Sequence, residues 1–172
     1  IAFPFATMLY GHQTAAFLHG LVDKLPAAIE VVMPRWDGAE QDFVVHESKD
    51  LIDSDISECD GITVTTPVRT VVDLGATAPW LVEWALERGI RQGRFTLADV
   101  DGLVRRVAKR GRRGVGAIRP LLQERMRYDI KTESELEYLF LKAWGERRPF
   151  PSAQHTILDA YGEFVCRADF AF

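Results

Sequence analysis

Asp60-Gly61-Ile62-Thr63-Val64-Thr65-Thr66-Pro67-Val68-Arg69-Thr70-Val71-Val72-Asp73-Leu74 is the stretch whose reading decides the fold. Asp-Gly is a tight-turn pair, because both residues tolerate the positive φ such a turn demands. The run Ile62 to Thr65 is rich in β-branched side chains and predicts a strand. Thr66 then offers a hydroxyl to the free N–H groups of a helix whose first residue is Pro67, where a missing N–H and a fixed φ do no harm. A strand that passes into a helix through one capping residue places the chain in the mixed α/β (α+β) class. Arg69 and Asp73 stand four apart on that helix and are expected to pair at its surface.

Upstream, Gln13 to His19 predicts a helix closed by Gly20, and Ile29 to Met33 and Phe43 to Glu47 predict short strands. Downstream come three helical stretches. Trp80 to Ile90 carries Trp80, Trp84 and Ala85 at helical spacing, which places them in the core. Leu97 to Lys109 is capped by Thr96 with Asp99 in the first turn, and Val115 to Met126 follows. The polar run Arg127 to Lys131 is a connector. It divides the chain into a first region, 1–126, and a tail, 132–172.

In the tail, Thr132 with Glu135 reads as a capping box for a helix to Glu146. Glu135, Lys142 and Glu146 form its solvent stripe. Glu137 lies instead on the side of Phe140, Leu141 and Trp144, and a carboxylate in apolar surroundings requires a partner. Asp169 is the candidate. It sits in the alternating strand Val165 to Phe172, joined to a shorter strand, Thr156 to Leu158, through the turn Asp159 to Glu163. Carboxylates presented by a helix and a hairpin suit Mg²⁺, with Asp169 as ligand and Glu137 as the second acid of a hydrolytic site. The bland alternatives are a Glu137 that reaches solvent at a domain edge and an Asp169 paired with Arg167 on its own strand face.

Charge is uneven. Arg105, Arg106, Lys109, Arg110, Arg112, Arg113 and Arg119 fall together without an acid, a local charge of +7 that leaves −11 for the rest of a chain of formal net charge −4. Such a cluster either holds nucleic-acid phosphates or complements a helix end in solvent. It has no interleaved aromatics, which argues against stacking on single strands. An imidazole titrates near neutrality, but no cysteine or acid pair accompanies His12, His19 and His46 at metal-ligand spacing. Structural roles are therefore expected, with His19 supporting a helix end.

Composition narrows the class. At 47% hydrophobic and 27% charged over 172 residues, the chain has the make-up of a soluble globular protein with a substantial core. No apolar run approaches the roughly 20 residues needed to cross a bilayer. Cys59 and Cys166 lie too far apart in sequence for a metal-ligand motif, so reduced thiols and a cytoplasmic setting are the default. The chain opens on Ile1 and closes at Phe172 inside a hydrophobic strand, which suggests a fragment.

Two resemblances extend this reading. Gly11-His12-Gln13-Thr14-Ala15-Ala16-Phe17-Leu18-His19-Gly20-Leu21, Val45-His46 and the run Gly61 to Leu74 with its Thr-Thr-Pro-x-Arg-Thr-x-x-Asp-Leu core resemble the AbiEi-type antitoxin region of bacterial type IV toxin–antitoxin systems. That resemblance implies DNA and a cognate toxin as partners, with a winged helix-turn-helix upstream. Thr132 to Glu137, Pro149-Phe150-Pro151 and Arg167-Ala168-Asp169-Phe170 resemble the opening of the restriction-endonuclease-like domain related to very-short-patch-repair endonucleases, the PD-(D/E)XK superfamily. It implies that Glu137 and Asp169 belong to a Mg²⁺-dependent nuclease site. The acid carried by the next strand of that family would lie beyond Phe172. As it stands, the chain is expected to be inactive as a nuclease, or to be a regulator on a degenerate nuclease scaffold.

Overall fold

The structure is a computed structural model that describes residues 8–36, 38, 42–108, 114–127, 135–145 and 147–172. It divides into two compact units, Ile1–Gln123 and Glu124–Phe172. As the sequence predicts, the class is mixed α/β.

The first unit combines four short strands, β1 (Glu30–Met33), β2 (Val44–Glu47), β3 (Ile56–Cys59) and β4 (Ile62–Thr65), with helices α1 (His12–Leu18), α2 (Pro67–Thr77), α3 (Pro79–Arg91), α4 (Leu97–Val107) and α5 (Val115–Arg127), the last running past the division. β1 and β2 pair in parallel, Glu30 opposite Val44. β3 and β4 form a hairpin, Ile56 opposite Thr65. Its turn is Asp60 and Gly61 at φ of 51° and 79°, the conformation that the Asp-Gly pair announces. Between the two pairs runs the segment Leu9 to Gly11. Tyr10 donates to Thr63 O at 3.0 Å and accepts from Thr65 N at 2.9 Å, while Leu9 O accepts from Val32 N at 2.8 Å and Gly11 N donates to Glu30 O at 3.1 Å.

The helices enclose the main core. Ala16, Leu21 and Val22 meet Val71, Val72 and Leu74 of α2, Val82, Ala85 and Leu86 of α3, Phe95 of the loop that follows, Val100, Leu103, Val104 and Val107 of α4, and Ile118 and Leu122 of α5. A smaller cluster of Leu9, Val32 and Leu51, with Ile56, lies under the sheet segment. α2 begins where Thr66 predicts, its Oγ1 accepting from Arg69 N at 3.3 Å.

α3 departs from expectation. Ala85 is buried, but Trp80 is 71% exposed and Trp84 49%. Periodicity is the same for either face of a helix, and the face carrying Val82, Ala85, Leu86 and Gly89 is the one turned inward, where Gly89 packs beneath the Phe95 ring.

The second unit is helix α6 (Glu135–Trp144) and the antiparallel hairpin β5 (Ser152–Leu158) with β6 (Phe164–Ala171). The first strand is longer than its β-branched residues alone suggest. Asp159 Oδ1 closes the turn, accepting from Tyr161 N at 2.8 Å and Glu163 N at 2.9 Å. Phe140 packs on Phe170 with centroids 4.6 Å apart, and Trp144 on Phe172 at 4.9 Å. α6 therefore covers the hairpin face that carries Phe170 and Phe172. Thr132 of the expected capping box, and the connector beyond Arg127, lie outside the described residues. Among the described residues, no helix is long and apolar enough to cross a membrane.

Candidate functional site: a buried arginine and a histidine pair

The Thr-Thr-Pro-x-Arg-Thr-x-x-Asp run builds a polar cluster into the first unit. Arg69 is completely buried. Its Nε donates to Asp73 Oδ2 at 2.8 Å, Nη1 to Asp55 Oδ2 at 3.1 Å, and Nη2 to Asp50 Oδ1 at 2.9 Å and Ser48 Oγ at 2.7 Å. Burial opposes the charge, but Asp73 and Asp50 outweigh it and hold the Arg69 pKa above its ordinary value. Arg106 of α4 reaches the other oxygen of Asp55. A guanidinium is suited to this task because its planar fork satisfies several acceptors at once. The pair expected at the helix surface is therefore formed, but as the centre of a buried network that ties segment 48–55 to α2 and α4. What pulls it inward is the set of acids at Asp50 and Asp55, far from Arg69 in sequence.

The threonines are structural as well. Thr65 and Thr70 share a hydrogen bond of 2.7 Å between hydroxyls, and His19 Nε2 donates to Thr65 O at 2.7 Å. That bond requires the proton on Nε2. Burial keeps the His19 pKa below its ordinary value although the Thr65 carbonyl pulls the other way.

His12 and His46 meet. Their ring centroids are 3.8 Å apart and the planes are tilted by 37°. His12 has a φ of 50°, in the left-handed region that few residues other than glycine adopt. Its Nδ1 lies 3.2 Å from Thr77 Oγ1. Burial depresses the His12 pKa to about 4, with His46 adding to the push and Asp73 and Glu30 resisting. Glu30 lies beside the pair, its Oε2 accepting from Gln13 N at 2.6 Å and its Oε1 3.6 Å from His46 Nε2. Burial would raise the Glu30 pKa, yet the His46 ring and the Gln13 N–H together lower it. His46 Nε2 is buried without a hydrogen-bond partner. The cluster sets two imidazoles beside one carboxylate. It offers no activated nucleophile, and no group of three or more His, Cys, Asp or Glu side chains arranged to hold a metal occurs among the described residues.

Of the acids predicted for hydrolysis, Glu137 is buried on α6 as its position on the apolar side requires. The group brought to it is Gln154, whose Nε2 donates to Glu137 Oε2 at 3.3 Å. Asp169 is exposed on β6. Strand alternation turns it to the ribbon face opposite Phe170 and Phe172, the rings that pack on α6. In the basic stretch, Arg105 pairs with Asp101 at 2.7 Å, Arg106 serves the Arg69 network and Arg119 is exposed on α5. Lys109, Arg110, Arg112 and Arg113 lie outside the described residues. Sequence reasoning missed Glu30, Ser48, Asp50 and Asp55. The clue was an arginine embedded among Val68, Thr70, Val71 and Val72, with the acid-rich run Asp50 to Asp55 upstream as a supply of countercharge.

Fold and cluster together define a class, a small α/β unit that spends its polar motif on its own architecture. The family model of the AbiEi antitoxin C-terminal domain matches residues 5–124, and the chain belongs to that family, which associates it with toxin–antitoxin systems. The match stops short of Glu137 and Asp169. No curated protein and no solved structure matches the chain.

Proposed function

We propose that the chain works as the antitoxin of a toxin–antitoxin pair by binding, with a cognate toxin and nucleic-acid phosphates as its targets. The observation that carries this reading is the family match over the first unit. The phosphate-binding role falls to Lys109, Arg110, Arg112 and Arg113 with Arg105 and Arg119 on either side, because Arg106 is committed to Asp55. Two measurements test it. Co-expression with the cognate toxin restores growth, and no rescue overturns the antitoxin role. Duplex DNA binding weakens as salt rises, and replacing Lys109, Arg110, Arg112 and Arg113 by Ala lowers the log–log salt slope by about one for each phosphate no longer neutralised. Absence of binding at low salt removes DNA from the proposal.

A second reading, a Mg²⁺-dependent endonuclease-like tail, is favoured by the buried Glu137. Glu137 and the buried, unpartnered Gln154 Oε1 are oxygen donors of the kind a hard cation takes, but Asp169 stands on the ribbon face away from α6, so the two acids as placed do not fit one shared ion. Mg²⁺-dependent plasmid nicking that is lost in Asp169→Ala supports it. A folded protein that never cleaves removes it.

A further inference from the structure

Two adjacent arginines at the end of α4 have different surroundings. Arg105, its side chain 75% exposed, pairs with Asp101 one turn back at 2.7 Å. Arg106 turns inward and reaches Oδ1 of Asp55, whose side chain is 4% exposed. The other oxygen of Asp55 accepts from Arg69 Nη1 at 3.1 Å and from Ile52 N at 3.2 Å. An ion pair between two long, exposed side chains holds little in place. Here the acceptor is short, buried and already bonded through its second oxygen, so Arg106 fastens the last turn of α4 to a fixed point.

The start of α5 is fixed in another way. Gly114 has a φ of 95°, and its backbone lies directly on Gly75 of α2. A Cβ at Gly75 would stand 2.9 Å from Gly114 Cα, and a Cβ at Gly114 would stand 2.8 Å from Val72 O and 3.0 Å from Ala76 N. Each glycine is required by the other, since a side chain at either place forces two backbones apart. Val115 and Ile118 then enter the core. Between these two fixed ends the sequence places Lys109, Arg110, Arg112 and Arg113, which lie outside the described residues.

Resting on the phosphate-binding role assigned above to this basic stretch, we propose that Arg106 and the Gly75–Gly114 contact are its positioning residues. They pin its ends to the buried Arg69 network and to α2, and so set the affinity for duplex DNA without touching a phosphate. Ordering cations around a phosphate costs conformational entropy and brings like charges together, and ends that are fixed beforehand lower that cost. Arg105 and Arg106 thereby divide the work. One carries charge to the phosphate and the other holds the frame. If an anchor is lost, the apparent Kd rises by the inverse of the fraction of chains that keep the ends in place. Linkage makes the effect reciprocal, so bound DNA tightens both anchors.

The test is titration of a fluorescent DNA duplex with the 172-residue chain over a salt series, at a temperature where circular dichroism shows each variant folded. Arg105→Gln lowers the log–log salt slope by about one. Arg106→Gln and Gly75→Ala each weaken binding by about tenfold yet leave the slope unchanged, because neither removes a phosphate contact. Gly116→Ala, whose Cβ meets no atom within 4 Å, changes neither quantity. In the unmutated chain, bound DNA slows hydrogen exchange at the Ala108 and Ala117 amides, which bond to Val104 O and Gly114 O at the two ends. That readout needs no variant to fold. A slope that falls in Arg106→Gln as it does in Arg105→Gln makes Arg106 a phosphate contact and overturns the proposal. Anchor variants that bind with full affinity overturn it too, as do end amides that DNA leaves unchanged. A chain that binds no duplex even at low salt overturns the phosphate-binding role itself, and this proposal with it.

Discussion

Replacing Arg69 by Met keeps the length of the side chain and removes the cation shared by Asp50, Asp55 and Asp73. Removing one partner of a buried ionic network costs about 3–5 kcal/mol, because charges remain in a medium that solvates them poorly. Urea unfolding at neutral pH is expected to show that loss. Arg69→Lys recovers only part of it, since an ammonium cannot reproduce the fork that meets Asp73, Asp55, Asp50 and Ser48 together. His12 supplies a pH prediction. Its folded pKa of about 4 lies below the ordinary 6.5. Between those values the unfolded chain binds more protons than the folded one, so stability rises with pH across that window and falls on acidification. At 1.36 kcal/mol per pKa unit the loss approaches about 3 kcal/mol below pH 4. The lowered His19 and Glu30 act in the same direction, the carboxylate at the acid end. Thermal melts from pH 7 to pH 4 should fall in the native protein and fall less steeply in His12→Gln. The Arg69–Asp73 contact was readable from spacing four along a helix. Asp50, Asp55 and the meeting of His12 with His46 were not, because nothing local in the chain encodes a contact between distant segments.

At the scale of the element, α2 and α4 each contain a glycine, and the two should respond oppositely to alanine. Helix propensity favours Ala over Gly by about 1 kcal/mol. At Gly102 of α4 an added Cβ meets no atom within 4 Å, so Gly102→Ala is expected to raise stability by up to that amount. At Gly75 of α2 the Cβ would stand 2.8 Å from the carbonyl carbon of Gly114 and closer still to its oxygen. Backbone cannot swing aside as a side-chain tip can. Gly75→Ala therefore destabilises by about 1–3 kcal/mol, and paired thermal melts of the two variants check the signs. Elements fixed by local chemistry were legible: the Asp60-Gly61 turn, the Thr66 and Thr96 caps and the Gly162 turn all stand where their residues predict. The buried face of α3 was not. Trp80 and Trp84 share the helical period of Val82 and Leu86, and the choice between faces is made by Phe95 closing on Gly89.

Over the whole molecule, the two units differ in how much apolar surface they enclose. The first has a contiguous core drawn from all five of its described helices and the loops between them. The second pairs one helix with a two-stranded ribbon that leaves Ile157, Leu158, Phe164 and Val165 exposed. Isolated ribbons are marginal in water, and small units bury too little to be firm. Hydrogen exchange on the intact chain is expected to show β5 and β6 amides exchanging by low-energy openings while those of α2 and α4 wait for global unfolding. Equal protection in both units counts against this. The mixed α/β class was legible in the alternation of strand and helix signals. How Glu137 finds its partner was not, since Gln154 reaches it from a position whose φ of 51° breaks the regular alternation of β5.

Tyr10 gives the molecule a seam with a timetable. The backbone on either side of it joins Glu30 and Val32 to one edge and Thr63 and Thr65 to the other. A nascent chain therefore makes its central sheet segment first yet cannot stitch it until Thr65 has left the ribosome, so closure is a late, long-range event. By the same logic, a cut between Leu9 and Gly11 parts the β1–β2 ribbon from the β3–β4 hairpin.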